Sequence, residues 1–278
     1  MNPERILAEI KSFTVATIVK KLAGGPASNS YLVARDNDRF VLRIDTDVAA
    51  ALGLDREAEI QVLTVVSRNG LGPEPEYSDP QQGVLITRYI EGHAWTENDL
   101  QDPERIRNLA ALLRRLHSLK PQGNRFDIDE KVARYARIIA TQEGDELAEN
   151  TRQLLRRLGD SSATQCLCHN DLNSANIIEG RGLTLVDWEY AAIGDPLFDL
   201  ATVAEHHRFD EGRSEALLST YFDVACEADI DRYDQYRFLY RHLLVLWLAT
   251  VERLCGISAE QEIQLQREWE SIKLSGPQ

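Results

Sequence analysis

The strongest constraint on what this chain can fold into is a change of texture at Glu91-Gly92. Before it, four short β-like stretches are separated by turn residues: Thr14 to Lys20, Ser30 to Ala34, Arg39 to Ile44 and Gly83 to Tyr89. They predict a small antiparallel sheet. Between the third and fourth, Asp55 to Asn69 sets Ile60, Val62, Leu63 and Val66 at helical spacing and stops at Gly70 and Gly72. After Gly92, Ile106, Leu109, Leu112, Leu113 and Leu116 form one amphipathic stripe, and Val132, Tyr135 and Ile139 begin another. Asp99 to Pro103 offers capping residues before the first stripe, and Pro121 to Asp127 separates the two. Gln165 to Cys168 and Leu183 to Val186 read as short strands, and Asp231 to Leu254 as a further helix. The class predicted is α+β, with a sheet lobe over 1–90 and a larger, mainly helical lobe over 91–278.

A length of 278 residues suits two lobes and is too short for several enzymes. The net charge of −14 disfavours nucleic acid and anionic membrane surfaces as partners and suits a cationic ligand. Cys166, Cys168, Cys226 and Cys255 form no paired framework, and no basic-then-apolar leader is visible, so a cytoplasmic location is expected. The longest apolar run, Leu243 to Thr250, falls well short of the ~20 residues that cross a bilayer. A monomer is expected, with a dimer left open.

Chemistry concentrates in His169-Asn170-Asp171-Leu172-Asn173-Ser174-Ala175-Asn176, followed by Leu185-Val186-Asp187-Trp188-Glu189-Tyr190. Phosphoryl transfer needs a carboxylate to orient the attacking hydroxyl and accept its proton, together with hard oxygen ligands for magnesium. Asp171 suits the first task. Asn176 and Asp187 suit the second, the amide lowering the negative charge of the set and the carboxylate supplying the strong contact. Asp, then Asn five residues on, then an Asp at a strand end is far more specific than any one of them.

These residues resemble the protein-kinase-like superfamily, in the branch of choline and ethanolamine kinases, thiamine kinase and the aminoglycoside phosphotransferases. His169-Asn170-Asp171 with Asn176 is similar to that branch's catalytic loop, and Asp187-Trp188-Glu189-Tyr190-Ala191 to its metal-binding segment. Gly194-Asp195-Pro196-Leu197-Phe198-Asp199-Leu200-Ala201 is similar to its downstream signature, in which Asp199 ties the loop in place. The resemblance implies a bilobal protein-kinase-like fold, ATP and Mg2+ as cofactors, and a small-molecule acceptor. It also implies that Gly24 to Ser30, with Ser28 and Asn29, turns over the nucleotide phosphates, and that Arg43 on the third strand contacts phosphate with Glu59 as its partner. Glu57 is the lesser candidate for that pairing. Arg88 to Gly92 resembles the hinge, where the backbone at Arg88 and Ile90 would meet the adenine edge.

His169 resembles a structural histidine that braces the loop. Cys166-x-Cys168 would share one face of a strand without completing a tetrahedral zinc set. Tyr236, Tyr240 and Trp247, spaced by four and seven, share one side of a helix; they suit core packing or, with Glu189, a wall for a cationic acceptor. Choline or ethanolamine is the first acceptor expected, then thiamine, then aminoglycosides. A non-catalytic nucleotide-binding module of the same fold is the alternative of a different class.

Overall fold

The computed structural model describes residues 2–121, 123–159 and 165–275. Gln122, within the predicted break Pro121 to Asp127, lies outside the described residues, as do 160–164 and 276–278 of the predicted helical lobe. The chain divides into two compact units: Met1–Ala94 with Ile177–Tyr190, and Trp95–Asn176 with Ala191–Gln278.

The first unit is built on five strands, β1 (Thr17–Lys21), β2 (Ser28–Arg35), β3 (Asp38–Asp45), β4 (Pro75–Asp79) and β5 (Val84–Arg88). They form one antiparallel sheet in the order β1-β2-β3-β5-β4. β2 and β3 meet through a two-residue turn at Asp36-Asn37, with Asp36 in the left-handed region that such turns require. Helix α1 (Pro3–Glu9) starts where the Asn2 side chain accepts from Arg5 N at 2.8 Å. Its Ile6 and Leu7, with Ile10 and Phe13, cover an apolar sheet face that includes Val33, Phe40, Leu42 and Ile86. Phe13 meets Phe40 edge-on at 5.0 Å, a geometry worth about 0.5–1.5 kcal/mol beyond the area buried. Helix α2 (Asp47–Leu52) is capped by Thr46 and ended by left-handed Gly53. Helix α3 (Arg56–Arg68), capped by Asp55 on Ala58 N, buries Val62, Leu63 and Val66.

A second, three-stranded sheet joins His93–Ala94, Ile177–Glu179 and Leu183–Leu185. Gly92 and Gly180 permit this pairing, since a Cβ on either would overlap the backbone of Glu179 or Glu91. The Leu185 amide donates to Leu71 O at 2.9 Å, and the buried Trp188 indole donates to Leu185 O at 3.0 Å. These two bonds fix the strand end that presents Asp187.

Some boundaries differ from the sequence expectation. β1 begins at Thr17 because Lys11–Phe13 coils into a single 3-10 turn and Thr14 follows it. β4 was not anticipated; its proline sits on the sheet edge, where a missing N–H costs no ladder bond.

The second unit comprises α4 (Pro103–His117), α5 (Ile128–Ile139), α6 (Gln142–Leu158), α7 (Pro196–His206), α8 (Glu211–Phe222), α9 (Glu227–Cys255) and α10 (Ala259–Ser275). α9 packs against α5, α6, α7 and α10, while α4 packs on α8. The predicted stripe of α4 is buried at every position from Ile106 to Leu116. Strand Cys166–Cys168 pairs antiparallel with Ala192–Gly194. Among the described residues, no helix is long and apolar enough to cross a membrane.

Candidate active site

In the first unit, β3 and α3 bring two guanidinium groups among four carboxylates. Arg43, on β3 opposite Ser30, donates from Nη1 to Glu59 Oε1 at 2.6 Å and from Nη2 to Glu59 Oε2 at 2.5 Å. Helix phase selects Glu59, 3% exposed, over Glu57, which faces solvent. Asp187 Oδ1 lies 3.5 Å from Arg43 Nη1, and its side chain is 40% exposed. The Nε of Arg43 is buried and has no hydrogen-bond partner among the described residues. Arg56, in the first turn of α3, donates to both oxygens of Asp45 at 2.9 and 2.8 Å. Its Nη1 also reaches Glu59 at 2.9 Å and Glu189 at 3.1 Å.

These pairings set the charge states. Burial opposes ionisation of Glu59, but Arg43 and then Arg56 hold its carboxyl below the usual range. Burial likewise opposes the charge on Arg43, and Glu59 more than offsets it, so the guanidinium is held more firmly protonated than usual. Glu189 goes the other way: burial, then the neighbouring Asp187 carboxylate, pushes it up to about 8 despite Arg43 and Arg56. Asp187 itself has a φ of 63°, a left-handed conformation that costs a non-glycine residue about 1–3 kcal/mol and that clusters at functional sites.

Several residues sit differently from the sequence expectation. Ser28 and Asn29, expected in the turn over phosphate, are strand residues paired with Asp45 and Ile44, because the β2–β3 ladder continues to Ser28. The backbone at Arg88 was expected to meet the adenine edge; its amide donates to Glu74 O at 2.8 Å, and its guanidinium pairs with Glu74, Glu76 and Asp38. Ile90 lies half-buried just beyond β5. Glu189, expected on the acceptor side, is largely buried with its carboxylate accepting from Arg56.

In the second unit, strand Cys166–Cys168 delivers a loop whose backbone is pinned by α7. Asp199 accepts from the His169 amide at 2.8 Å and the Asn170 amide at 2.7 Å. His117, at the end of α4, faces Asp199 Oδ2 with Nε2 at 3.0 Å and the Tyr221 hydroxyl with Nδ1 at 2.8 Å. His169 is fully buried, and its Nδ1 accepts from the Asp171 amide at 3.3 Å. Asn170, at φ 63°, turns the chain so that Asp171 leaves the strand line. The Asn176 amide then donates to Asp171 O at 2.9 Å and to Asp171 Oδ2 at 3.0 Å. Neither bond uses the Asn176 carbonyl oxygen.

Tyr236 and Tyr240 of α9 pack their rings on Phe198, with centroids 6.4 and 6.1 Å away. Burial, then the Asp171 carboxylate, pushes the Tyr240 phenol well up, which sets this ring within electrostatic reach of the loop. Trp247, two turns further along α9, is half-buried. Glu205 of α7 accepts from Arg237 and Arg241, each at 2.5 Å. Sequence reading missed Arg56, His117 and Glu205. All three are ordinary charged or polar positions on helices, with no motif to mark them.

Residues 18–239 match the profile of the phosphotransferase enzyme family. The protein LicA of Haemophilus influenzae is 28% identical over 207 residues, covering 71% of this chain and 61% of that one, so the chain spans less than two thirds of this relative. The thiamine kinase of Salmonella newport is 28% identical over 267 residues, covering 91% of this chain and 89% of that one. The crystal structure of choline kinase LicA from Streptococcus pneumoniae superposes with a TM-score of 0.80 at 23% identity, over 97% of this chain and 98% of that one. At that identity the likeness shows the fold, which is α+β and protein-kinase-like. With four fifths of its length matched, the chain belongs to the phosphotransferase enzyme family.

Proposed function

We propose that this protein transfers the terminal phosphoryl group of ATP to the hydroxyl of a small cationic alcohol, with choline or ethanolamine as acceptor. The observation that carries the reading is the clasp of Asp171 by Asn176 on a loop whose backbone amides are held by Asp199. A carboxylate so constrained orients an acceptor hydroxyl and takes its proton as the oxygen attacks, and positioning of this kind accounts for most catalysis of phosphoryl transfer.

The residues of the first unit fit a nucleotide phosphate. Arg43 keeps a buried Nε donor that a phosphate oxygen would satisfy, while Glu59 fixes the other two nitrogens. A hard divalent cation takes oxygen donors such as the partly exposed Asp187 carboxylate of the first unit, and the Asn176 carbonyl oxygen of the second is a donor of the same kind. When bound, Mg2+ neutralises the charge that develops on the transferring phosphoryl oxygens. The sheet unit thus handles the nucleotide and the helical unit carries the base and the acceptor.

For the acceptor, Tyr236, Tyr240 and Trp247 supply aromatic rings of the kind that attract an ammonium group, although Tyr236 and Tyr240 are only 7% and 8% exposed. Glu205 already carries two arginines, so attraction for a cation rests on the ring faces and on Asp171. The match to LicA supports choline. A second reading, thiamine, is favoured by one observation: the thiamine kinase alignment covers 91% of this chain against 71% for LicA.

The test is ADP release from ATP and Mg2+ against choline, ethanolamine, thiamine and aminoglycosides, with the Asp171→Asn protein as control. Release that depends on choline or ethanolamine and disappears in the variant supports the proposal. Release with thiamine alone moves the assignment to the second reading. Nucleotide binding without release across the panel favours a non-catalytic module.

A further inference from the structure

Apart from the residues given roles in phosphoryl transfer, three metal-ligating side chains converge in the second unit. His117 closes α4, and Cys166 and Cys168 stand on the strand that leads into His169. A strand sends alternate side chains to one face, so both sulfurs lie side by side, 3.7 Å apart. One ligand atom from each of the three lies within 4.8 Å of the others, the single such group among the described residues.

The spacing has a chemical meaning. Two thiolates held at about 2.3 Å from one tetrahedral zinc ion stand about 3.8 Å from each other, which the sulfurs here already match. Nε2 of His117 faces a carboxylate, Asp199 Oδ2, at 3.0 Å, a contact of the kind that orients ligand histidines in zinc sites. Its other nitrogen meets the Tyr221 hydroxyl at 2.8 Å. A ring nitrogen and two sulfurs therefore bound one small volume.

We infer that His117, Cys166 and Cys168 form a binding site for a thiophilic divalent cation of the zinc class. Soft thiolates select such an ion, whereas carboxylate and amide oxygens suit magnesium. Binding breaks two S–H bonds, forms two metal–sulfur bonds from the thiolate lone pairs and releases two protons to solvent, with no change of oxidation state. Because two protons leave, affinity rises with pH. Asp199 touches both His117 and the amides of His169 and Asn170, so occupancy bears on the loop that carries Asp171.

The test uses the full chain with Cys226→Ser and Cys255→Ser, which removes the two exposed thiols. The protein is kept oxygen-free with a phosphine reductant and excess Mg2+, then titrated with Co2+. The expected result is a near-ultraviolet thiolate-to-cobalt charge-transfer band with tetrahedral d–d bands, saturating at one ion per chain and displaced by Zn2+. Further change of Cys166→Ser and Cys168→Ser together, in protein shown by circular dichroism to be folded, removes the charge-transfer band. Its absence at saturating Co2+, or its persistence after both changes, overturns the proposal. If the serine variants do not fold, X-ray absorption at the zinc edge of the zinc-loaded parent decides: two sulfurs in the inner shell support the site, and a shell of oxygen alone overturns it.

Discussion

The Asn176 side-chain amide donates to Asp171 twice, at 2.9 Å to the backbone carbonyl and at 3.0 Å to the carboxylate. One group thereby sets both the turn and the direction of the acid. Asp171→Asn keeps the shape and removes the proton acceptor. Its kcat is expected to fall about 10²–10⁴-fold, the span of general-base catalysis, with nucleotide affinity little changed. ADP release and nucleotide titration measure the two separately, and near-native turnover would remove Asp171 from the reaction.

Arg43→Lys is not a conservative change here. Lysine cannot reproduce the fork to both oxygens of Glu59, nor the buried Nε donor. Loss of one charged hydrogen bond to phosphate costs about 1.5–3 kcal/mol. Nucleotide Kd is therefore expected to rise roughly ten- to hundredfold, which isothermal titration would read.

Arg56→Met tests a structural claim that is independent of activity. The guanidinium, 9% exposed, is shared by Asp45, Glu59 and Glu189. Removing one partner from a buried ion cluster costs about 3–5 kcal/mol because the remaining charges stay buried. Urea unfolding is expected to show that loss, and a change under about 1 kcal/mol would class Arg56 with surface ion pairs.

Acid stability follows from His207, which is 6% exposed. Burial, then the neighbouring His206, holds its imidazole down to about 3 from 6.5. The unfolded chain takes up a proton below pH ~6.5 that the native state refuses until far lower pH, so this contribution is complete above that point and fades as pH falls. The loss is about 1.4 kcal/mol per pH unit for one proton. His206 is lowered by burial as well and adds with the same sign. The melting temperature is expected to drop between about pH 7 and pH 5 and to drop less in His207→Phe. Identical slopes for the two proteins would mean that His207 carries none of the effect.

Asp171, Asn176 and Asp187 stand out in the sequence as candidates because phosphoryl transfer demands particular residue types and the segment 169–176 offers two of them within six positions. Arg56 was not. Its partner Glu189 lies 133 residues away, and a basic residue in a first helical turn reads as a solvated one. His117 reads as a favourable cation at a helix C-terminus, and only the fold reveals Asp199 and two sulfurs beside it. β4 was hidden by Pro75, Glu76 and Asp79, residues that signal a turn. α1 and α2 carry readable signals, an Asn-Pro start and a Thr46 to Gly53 frame, and were passed over because each is under two full turns or so.

The return of Ile177–Tyr190 to the first unit imposes an order on synthesis. Arg56 leaves the ribosome 133 residues before Glu189 does, a wait of roughly 7–27 s at about 5–20 residues per second. Throughout that interval the nascent sheet lacks Trp188 and two of the carboxylates that balance its arginines. The sheet unit is thus a vessel that the ribosome fills last from a segment made much later, and a protein cut after Ala94 would be born permanently unfinished.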